Sequence, residues 1–276
     1  SSICVAYTLG FRDLEIFGYD SCHQDDRSHA YSQPMNDAIP NVNVEWGGET
    51  FKASVAMKAQ AEKFQMTSQA LKQAGCTLTV HGWGLLQAMY HTDASNLTER
   101  EKYQRMWTFD MYREISPGEL VAGVFLTVAK PEGMIIDFGC GTGRALLALS
   151  EQGHDVLGID FASNCRDEEA MALPFLEWDL ARPIPSRANY GYCTDVMEHI
   201  PPEDVETVLA NIMESAKSVF FQISTVEDLC GDLIGAPLHL SIYDHDKWAA
   251  LLSDVGDIEW SENRGGASLF YTHRKS

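Results

Sequence analysis

The sequence has no long apolar run, no closely paired cysteines and no excess of basic residues. No run approaches the roughly 18 to 20 apolar residues that a membrane-spanning helix requires, and the first residues show no signal-peptide pattern. The seven cysteines form no C-x-x-C pair, which argues against a cysteine-rich zinc cluster and indicates reduced thiols. We therefore expect a soluble, cytoplasmic protein.

Positive charge is scarce. The chain carries 40 acidic and 20 basic residues, a formal net charge of −20. A surface of this sign repels a phosphate backbone, so nucleic acid is an unlikely partner and a small molecule is favoured as the ligand. With 276 residues, the chain is long for one domain and suits two on a prior of about 150 residues each.

The most informative stretch is an apolar run, 135–138, that ends in alternating glycines at Gly139, Gly141 and Gly143. Glycine lets the backbone approach a ligand where a Cβ would collide. The pattern predicts a strand followed at once by a helix over 144–152, whose free N–H groups point back at the loop.

A second acid supports this interpretation. Asp160 closes the next apolar run, 156–160, where the hydroxyls of a ribose would lie. The glycine spacing lacks the wider final step of the dinucleotide fingerprint, and no Gly-Lys-Ser/Thr occurs. The pattern therefore predicts a site for one nucleoside without phosphates, the alternative being a tight strand-to-helix turn in an ordinary α/β domain.

Three stretches together carry a family resemblance: D-F-G-C-G-T-G at 137–143, L-E-W-D-L at 176–180 and C-T-D-V-M-E-H-I-P-P at 193–202. With them, residues 98–274 resemble the class I S-adenosylmethionine-dependent methyltransferases. The resemblance implies an α/β fold with a doubly wound, Rossmann-like sheet of seven mostly parallel strands and a reversed last strand. It implies cofactor contacts as follows: Gly139, Gly141 and Gly143 at the methionine end, Asp160 at the ribose, Phe161 on the adenine face, Asp179 and Leu180 at the adenine edge, and Asp195 beside the methyl group.

Two helix starts precede the first strand of this region, one at Thr98 to Glu101 and one at Ser116 to Glu119. We expect these helices to cover the cofactor, with the ring of Tyr103 attracting a sulfonium and Arg113 clamping a carboxylate. The alternative is that aromatics at this spacing, including Trp107 and Tyr112, are core residues and that the arginine is solvated.

The acceptor's proton has three candidate bases. Glu198 and His199 follow the fourth strand, and His239 lies on the connection after the fifth, so all three lie outside the carboxyl ends of a parallel sheet. Holding two reactants in line supplies roughly 7 to 11 kcal/mol, against about 3 to 5 kcal/mol from a base, so positioning outweighs base catalysis. Alternatively, Glu198 and His199 hydrogen-bond the next helix, and His239 is a core or loop residue.

The C-terminal pattern predicts helices and strands in the order typical of such a sheet. We expect a helix over 202–217 that starts with proline in its first turn, a strand over 219–224, a helix over 247–255 with Asp246 as its N-cap, and a final hairpin, 258–261 with 267–273, that gives a reversed edge strand. Because its last acid has this capping role, Asp244-His245-Asp246 is not interpreted as a metal site, and none is predicted.

Residues 1–92 predict a smaller, partial α/β module before the domain at 93–276. Its polar stretch at 21–43 is too long for a plain connector, so it is a functional loop or partly disordered. G-Y-D-S-C at 18–22, S-H-A-Y-S-Q at 28–33 and V-H-G-W-G-L-L at 80–86 resemble the 6-hydroxymethylpterin diphosphokinase-like and flagellar accessory sugar transferase family. The resemblance implies ligand contacts from Asp20, His29, Gly82 and Gly84, the absence of a first nucleotide-binding half, and a fusion like those of tailed bacteriophages.

Three functions stay open on the sequence alone. The first is methyl transfer from S-adenosylmethionine to a small molecule. The second is a cofactor-binding structural or assembly module without turnover. The third is glycosyl or diphosphate transfer in the N-terminal region, where an exposed partial sheet would also favour a homo-oligomer.

Overall fold

A computed structural model describes residues 2–18, 21–23, 40–46, 49–91, 97–115, 118–228 and 230–275. Contacts divide the chain into two compact units, one of residues 1–98 with 230–236 and one of residues 99–229 with 237–276. The sequence placed the junction at residues 92–93, and residues 92–96 lie outside the described ranges. The assignment of residues 1–92 as a separate domain stays a prediction.

The N-terminal unit contains two small sheets and three helices among its described residues. In chain order these are α1 (Ser2–Thr8), β1 (Asp13–Ile16), β2 (Asn41–Trp46), β3 (Glu49–Ser54), α2 (Val55–Gln73), β4 (Thr77–Val80) and α3 (Leu85–His91). Strand β1 pairs with β4 in parallel, and β2 pairs with β3 as an antiparallel hairpin. Helix α2 begins where the Ser54 side chain accepts the Met57 N–H at 3.2 Å.

The hairpin corrects the interpretation of residues 21–43 as one connector. Residues 41–43 already belong to β2, in which Val44 and Trp46 are buried and alternate with exposed residues. Residues 24–39 of that stretch, with His29, lie outside the described residues, as does Asp20.

The second unit carries the sheet. Its described elements are α4 (Glu99–Met106), α5 (Asp110–Glu114), a 3₁₀ turn (Gly118–Val121), α6 (Ala122–Ala129), β5 (Ile135–Phe138), α7 (Arg144–Glu151), β6 (Val156–Asp160), β7 (Phe175–Glu177), β8 (Ala188–Thr194), α8 (Val205–Ser215), β9 (Ala216–Ser224), α9 (His245–Val255), β10 (Gly256–Asn263) and β11 (Ala267–Arg274).

These seven strands form one mixed sheet in the order β10-β11-β9-β8-β5-β6-β7. The pairs among β5 to β9 are parallel, and β11 is antiparallel to both β9 and β10. The predicted fold class is confirmed. One detail was wrong: the reversed strand β11 lies one position inside the edge and β10 forms the edge, because β11 pairs along the open side of β9. The strand order reverses between β5 and β8, which opens a crevice at their carboxyl ends.

Both faces of the sheet are covered, so the apolar side chains of its central strands are buried on either side of the sheet. In β9, Phe221 packs into one cluster with Phe138 and Phe270, whereas the adjacent Phe220 packs into the cluster on the opposite face. All four phenylalanines are completely buried. This packing fixes the sheet on which the site is built.

Two helix starts differ from the sequence prediction. Helix α8 begins at Val205 and not at Pro202, because the segment before it forms a turn in which the Asp204 N–H donates to Pro201 O at 2.9 Å. Helix α9 is capped by Asp244, whose side chain accepts the Lys247 N–H at 2.8 Å, and not by Asp246. Among the described residues, none of the helices has the length and apolar character needed to cross a membrane.

Candidate active site

The loop after β5 and the end of β6 meet, as the sequence predicted. Gly139, Gly141 and Gly143 have φ angles of 71°, 48° and 79°. The Gly139 N–H donates to Ile159 O at 2.7 Å, and the Gly141 N–H donates to Asp160 Oδ2 at 3.1 Å. The turn therefore lies against the Asp160 carboxylate in a backbone conformation that favours glycine.

Two of these glycines also make room for packing. A Cβ at Gly139 would lie 2.4 Å from Val196 Cγ2, and one at Gly143 would lie 2.5 Å from Ala170 Cβ. Both distances are shorter than any carbon–carbon contact tolerates. The loop is therefore held close to the segments that follow β6 and β8, where ligands of open α/β sheets bind.

The carboxyl of Asp160 is buried and oriented by backbone groups. Its Oδ1 accepts the Ala162 N–H at 2.9 Å, while Oδ2 accepts from Gly141. Burial raises its pKa to about 6, although the N–H groups of Ala162 and Gly141 lower it. Asp160 is thus ionised at neutral pH, and a carboxylate has further lone pairs that can accept hydroxyl donors.

The sequence reasoning gave no role to Asp137, the first acid of the glycine motif. Its side chain is buried, and its Oδ2 has no hydrogen-bond partner in the described residues. Burial, with a smaller contribution from the Asp160 charge, raises its pKa to about 8. Asp137 is therefore protonated at neutral pH. The signal available in the sequence was an acid two residues before Gly139, near the end of an otherwise apolar strand.

The residues predicted to contact adenine, Phe161, Asp179 and Leu180, lie just after β6 and β7. The ring of Phe161 is 5.7 Å from that of Tyr103, at 41°. Beyond β7, Asp179 Oδ1 accepts the Ala181 N–H at 2.9 Å and so shapes its own turn. Leu180 is buried and its carbonyl accepts the Asn211 amide at 2.9 Å. Their contacts with adenine stay predictions.

Tyr103 lies between the Phe161 ring and the residues after β8. It is buried on α4, and its hydroxyl is 2.6 Å from His199 Nδ1. Burial raises the pKa of Tyr103 well above its usual value, so the phenol stays protonated. Trp107, on the same segment, instead packs against Tyr112 at 4.8 Å. Tyr103 is thus a predicted lid aromatic that contacts a candidate catalytic residue.

Arg113 is engaged by the protein itself. Its Nε donates to Trp107 O at 2.8 Å, and its two terminal nitrogens donate to Cys165 O, Asn164 O and Asp167 Oδ1 at 2.9, 2.6 and 2.8 Å. Four of its five N–H groups are therefore used. This geometry favours a structural role over the predicted carboxylate clamp, because little of the guanidinium is left for a ligand.

Two acids follow β8, the half-buried Asp195 and the buried Glu198. Asp195 adopts a φ of 53°, and its Oδ2 accepts the Gln222 side-chain amide at 2.5 Å. Glu198 is completely buried, and its Oε1 accepts the Ser224 N–H at 3.0 Å. Burial raises the pKa of Asp195 to about 6, and burial together with the Asp195 charge raises the pKa of Glu198. The pair therefore resists ionising at the same time.

The two predicted histidines adjoin these acids. The rings of His199 and His239 are 4.7 Å apart in a T-shaped contact, and His239 Nδ1 is 2.7 Å from Val226 O. Burial, with a smaller effect of His239, lowers the pKa of His199 to about 4, so it is neutral at pH 7. The alternative in which Glu198 and His199 hydrogen-bond the next helix is not seen, since their side chains contact Ser224, Tyr103 and Leu238.

Comparisons with known proteins identify a family for most of the second unit. A family described as "Methyltransferase domain" matches residues 109–274. No curated protein matches the chain. An O-methyltransferase family protein from Burkholderia thailandensis is 12% identical with a TM-score of 0.53, over 85% of this chain and 80% of that one.

A second solved structure is 1,6-didemethyltoxoflavin-N1-methyltransferase from the same organism, with bound 1,6-didemethyltoxoflavin and S-adenosylhomocysteine. It is 17% identical with a TM-score of 0.51, over 64% of this chain and 87% of that one. At these identities the two structures support the fold. Because the family match spans more than half of the chain, the protein belongs to the methyltransferase-domain family, which confirms the S-adenosylmethionine-dependent methyltransferase predicted from the sequence.

Proposed function

We propose that this protein transfers the methyl group of S-adenosylmethionine to a small-molecule acceptor at the carboxyl ends of β5, β6 and β8. The observation that carries the proposal is the hydrogen bond from the Gly141 N–H to Asp160, which joins a left-handed glycine turn to a buried, ionised carboxylate. Backbone without side chains can lie close to a ligand, and the carboxylate can accept from ribose hydroxyls.

The cofactor supplies an activated methyl group on a sulfonium. Residues at the ends of successive strands would bind successive parts of this cofactor. Gly139, Gly141 and Gly143 would line the methionine end, Asp160 the ribose, and Phe161 with Asp179 and Leu180 the adenine. Asp195 directly follows β8, the strand next to β5, and would lie beside the methyl group. Tyr103 packs near Phe161 and would cover this part of the site.

The protein's main contribution would be positioning. Effective molarity supplies roughly 7 to 11 kcal/mol when two reactants are held in line. The neutral imidazole of His199 is fixed by Tyr103 and Leu238, and His239 lies against it. These rings would orient an acceptor and take up its proton. Glu198 could accept a proton only when the Asp195 charge is compensated, because the two acids resist ionising together.

Charge and likeness both favour a small acceptor. A net charge of −20 opposes binding to a polyanion. One structural neighbour is solved with the small molecule 1,6-didemethyltoxoflavin. The cytoplasm is the proposed compartment.

Calorimetry with S-adenosylhomocysteine tests the cofactor site. We expect Asp160→Asn to bind about 10- to 100-fold more weakly, since a hydrogen bond to a charged group is worth about 1.5 to 3 kcal/mol. Asp257→Asn changes an exposed acid of the same unit and should bind as the unchanged protein does. Equal binding by Asp160→Asn, or no binding by any form, would contradict the proposal.

Turnover separates an enzyme from a binding module. Labelled S-adenosylmethionine, incubated with the protein and a metabolite mixture, should transfer its label to a compound of low mass. Tight cofactor binding without transfer to any fraction would instead favour the structural or assembly module.

The resemblance of residues 1–92 to the diphosphokinase-like family rests on the sequence alone, because the family match begins at residue 109. Gly82 has a φ of 104°, which suits a close backbone approach. Diphosphate or glycosyl transfer, a homo-oligomer and a bacteriophage origin stay predictions. Binding of a pterin to the full chain, measured by fluorescence, would support the first of these.

A further inference from the structure

We propose that Glu198, His199 and His239 bind one divalent transition-metal ion and leave coordination positions open for an oxygen of the acceptor. The acceptor class would then be a hydroxyl-bearing small molecule. The metal site itself stands on the geometry of the described residues, and the assignment of the acceptor rests on the proposed function. It replaces the sequence-based expectation that no metal is bound.

The three side chains already lie close enough to share an ion. One ligand atom from each falls within 4.8 Å of the other two. Ligand atoms about 2.0 to 2.2 Å from a common ion are at most about 4.4 Å apart. Small rotations of the side chains are therefore enough to close the coordination shell.

Glu198 supplies an independent sign of a missing partner. Its side chain is completely buried, and its Oε1 accepts the Ser224 N–H. Its Oε2 has no nitrogen or hydroxyl donor among the described residues, and the neighbouring Asp195 carboxyl can pair with Glu198 only when one of the two acids holds a proton. A buried carboxyl oxygen is normally satisfied, and leaving one unpaired is costly. The Asp195 carboxyl beside it adds negative charge, and a cation would compensate both groups.

Backbone carbonyls orient both imidazoles as metal-binding histidines are oriented. His239 Nδ1 lies 2.7 Å from Val226 O, and His199 Nδ1 lies 3.1 Å from Leu238 O. Because a carbonyl oxygen only accepts, the contact with Val226 O assigns the proton of His239 to Nδ1 and leaves the lone pair on Nε2. The same tautomer of His199 requires the Tyr103 hydroxyl, 2.6 Å from Nδ1, to accept from that N–H while Leu238 O accepts from it as well. A ring N–H held by a carbonyl is the common outer contact of a histidine that binds a metal.

The backbone fixes this arrangement before any ion binds. The N–H groups of Leu240 and Ser241 both donate to Glu198 O, at 2.7 and 2.9 Å, and the Ser241 hydroxyl donates to Ile200 O at 2.7 Å. The connection after β9 is thereby tied to the segment after β8. His239 is held against His199 although 39 residues separate Leu238 from His199 in the chain.

The donor set indicates which ions fit. Two imidazole nitrogens and one carboxylate suit zinc, iron and other first-row transition metals better than calcium. Three protein ligands also leave positions open, which is typical of catalytic sites and unlike closed structural zinc sites. An acceptor hydroxyl oxygen could occupy such a position next to the methyl-transfer site. The ion would lower the pKa of that hydroxyl, so its proton would leave to solvent and the three ligands would not act as bases while they bind the ion.

Titration of the metal-free, untagged full chain with Zn²⁺, followed by calorimetry, tests the site, and Co²⁺ absorption reports its geometry. We expect one ion per chain, with at least a tenfold weaker affinity in His239→Asn and in Glu198→Gln. His154→Asn, which removes a half-buried histidine elsewhere in the same unit, should bind as the unchanged protein does. Absence of stoichiometric binding, or equal binding by His239→Asn, would overturn the metal site.

Two further measurements keep the outcomes distinct. Glu198 is buried and its substitution could unfold the chain, so the conclusion rests on the half-buried His239 if the circular dichroism of Glu198→Gln is altered. S-adenosylhomocysteine binding is measured separately in EDTA. Cofactor binding without Zn²⁺ binding would overturn the metal site and leave the proposed function standing. Zn²⁺ binding without cofactor binding would overturn the proposed function and leave the metal site standing.

Discussion

At the residue scale, burial more than neighbouring charge sets the protonation of the acids around the site. Burial is the largest cause of the raised pKa values of Asp137, Asp160, Asp195 and Glu198. The protonation state differs between the carboxyls of the adjacent strands β5 and β6, since Asp160 accepts backbone N–H groups and Asp137 Oδ2 has no partner among the described residues. One carboxyl is therefore charged at neutral pH and can bind hydroxyls, whereas the other is neutral.

The neutral state of Asp137 predicts a pH-dependent gain in stability for Asp137→Asn. The pKa is about 8 in the folded chain against an ordinary value of 3.8, so folding retains a proton that the unfolded chain has lost between these values. The stability of the unchanged protein should therefore fall as pH rises through this window, by about 1.4 kcal/mol per pH unit. The neutral amide of Asp137→Asn removes this dependence.

Urea unfolding at pH 5, 6.5 and 8 measures the effect. The difference between Asp137→Asn and the unchanged protein should shift in favour of the variant at each step upward. Asp257→Asn, at an exposed acid, is the matched control and should show no such trend. A difference that stays constant with pH would mean that Asp137 is ionised in the folded chain.

At the scale of elements, the turn between β5 and α7 predicts a rescue experiment. Gly139→Ala should destabilise the chain by several kcal/mol, because its Cβ would collide with Val196 and its φ is 71°. Gly153→Ala is the control. It should lose only the stability that a positive φ costs a residue with a Cβ, since its φ is 87° and nothing lies within 4 Å of that Cβ. Adding Val196→Ala to Gly139→Ala should restore part of the loss in chemical denaturation. Strict additivity of the two substitutions would count against the contact.

The short helix α5 depends on Arg113, which donates to Trp107 O and to three residues on the segment after β6. Asp167 accepts from both Arg113, at 2.8 Å, and Arg144, at 3.1 Å. Arg113→Ala should lower stability by about 1 to 3 kcal/mol, because it breaks charge-assisted hydrogen bonds in a partly buried network. Asp167→Asn should have a similar effect on thermal unfolding.

Ligand binding separates this structural role from the carboxylate clamp that the sequence suggested. Adenosine lacks the carboxylate of S-adenosylhomocysteine. With a structural role, Arg113→Ala should weaken the binding of both compounds by the same factor. A loss confined to S-adenosylhomocysteine would restore the clamp.

At the scale of the whole molecule, the sequence predicted those features that depend on a few neighbouring residues. The strand before the glycine turn, the acid at the next strand tip and the final hairpin each follow from short periodic patterns. The contact between Tyr103 and His199 joins residues 96 apart in the chain, and Arg113 meets Asp167 across 54 residues. Such contacts depend on strand order and on how connections cross the sheet, which neither periodicity nor spacing reveals.

The grouping of residues 230–236 with the N-terminal unit gives a prediction about the chain as a whole. Leu233 and Ile234 are buried within that unit, with exposures of 0% and 1%, although the segment interrupts the sequence of the methyltransferase region. A chain that begins at residue 99 retains these apolar side chains without the residues that cover them. We expect chymotrypsin to cleave this fragment next to Leu233 at a concentration that leaves the full chain intact. Replacing both residues with serine should lower the fragment's tendency to aggregate, because buried apolar surface that becomes exposed promotes association. Equal resistance of fragment and full chain would show that the segment finds cover within the methyltransferase region itself.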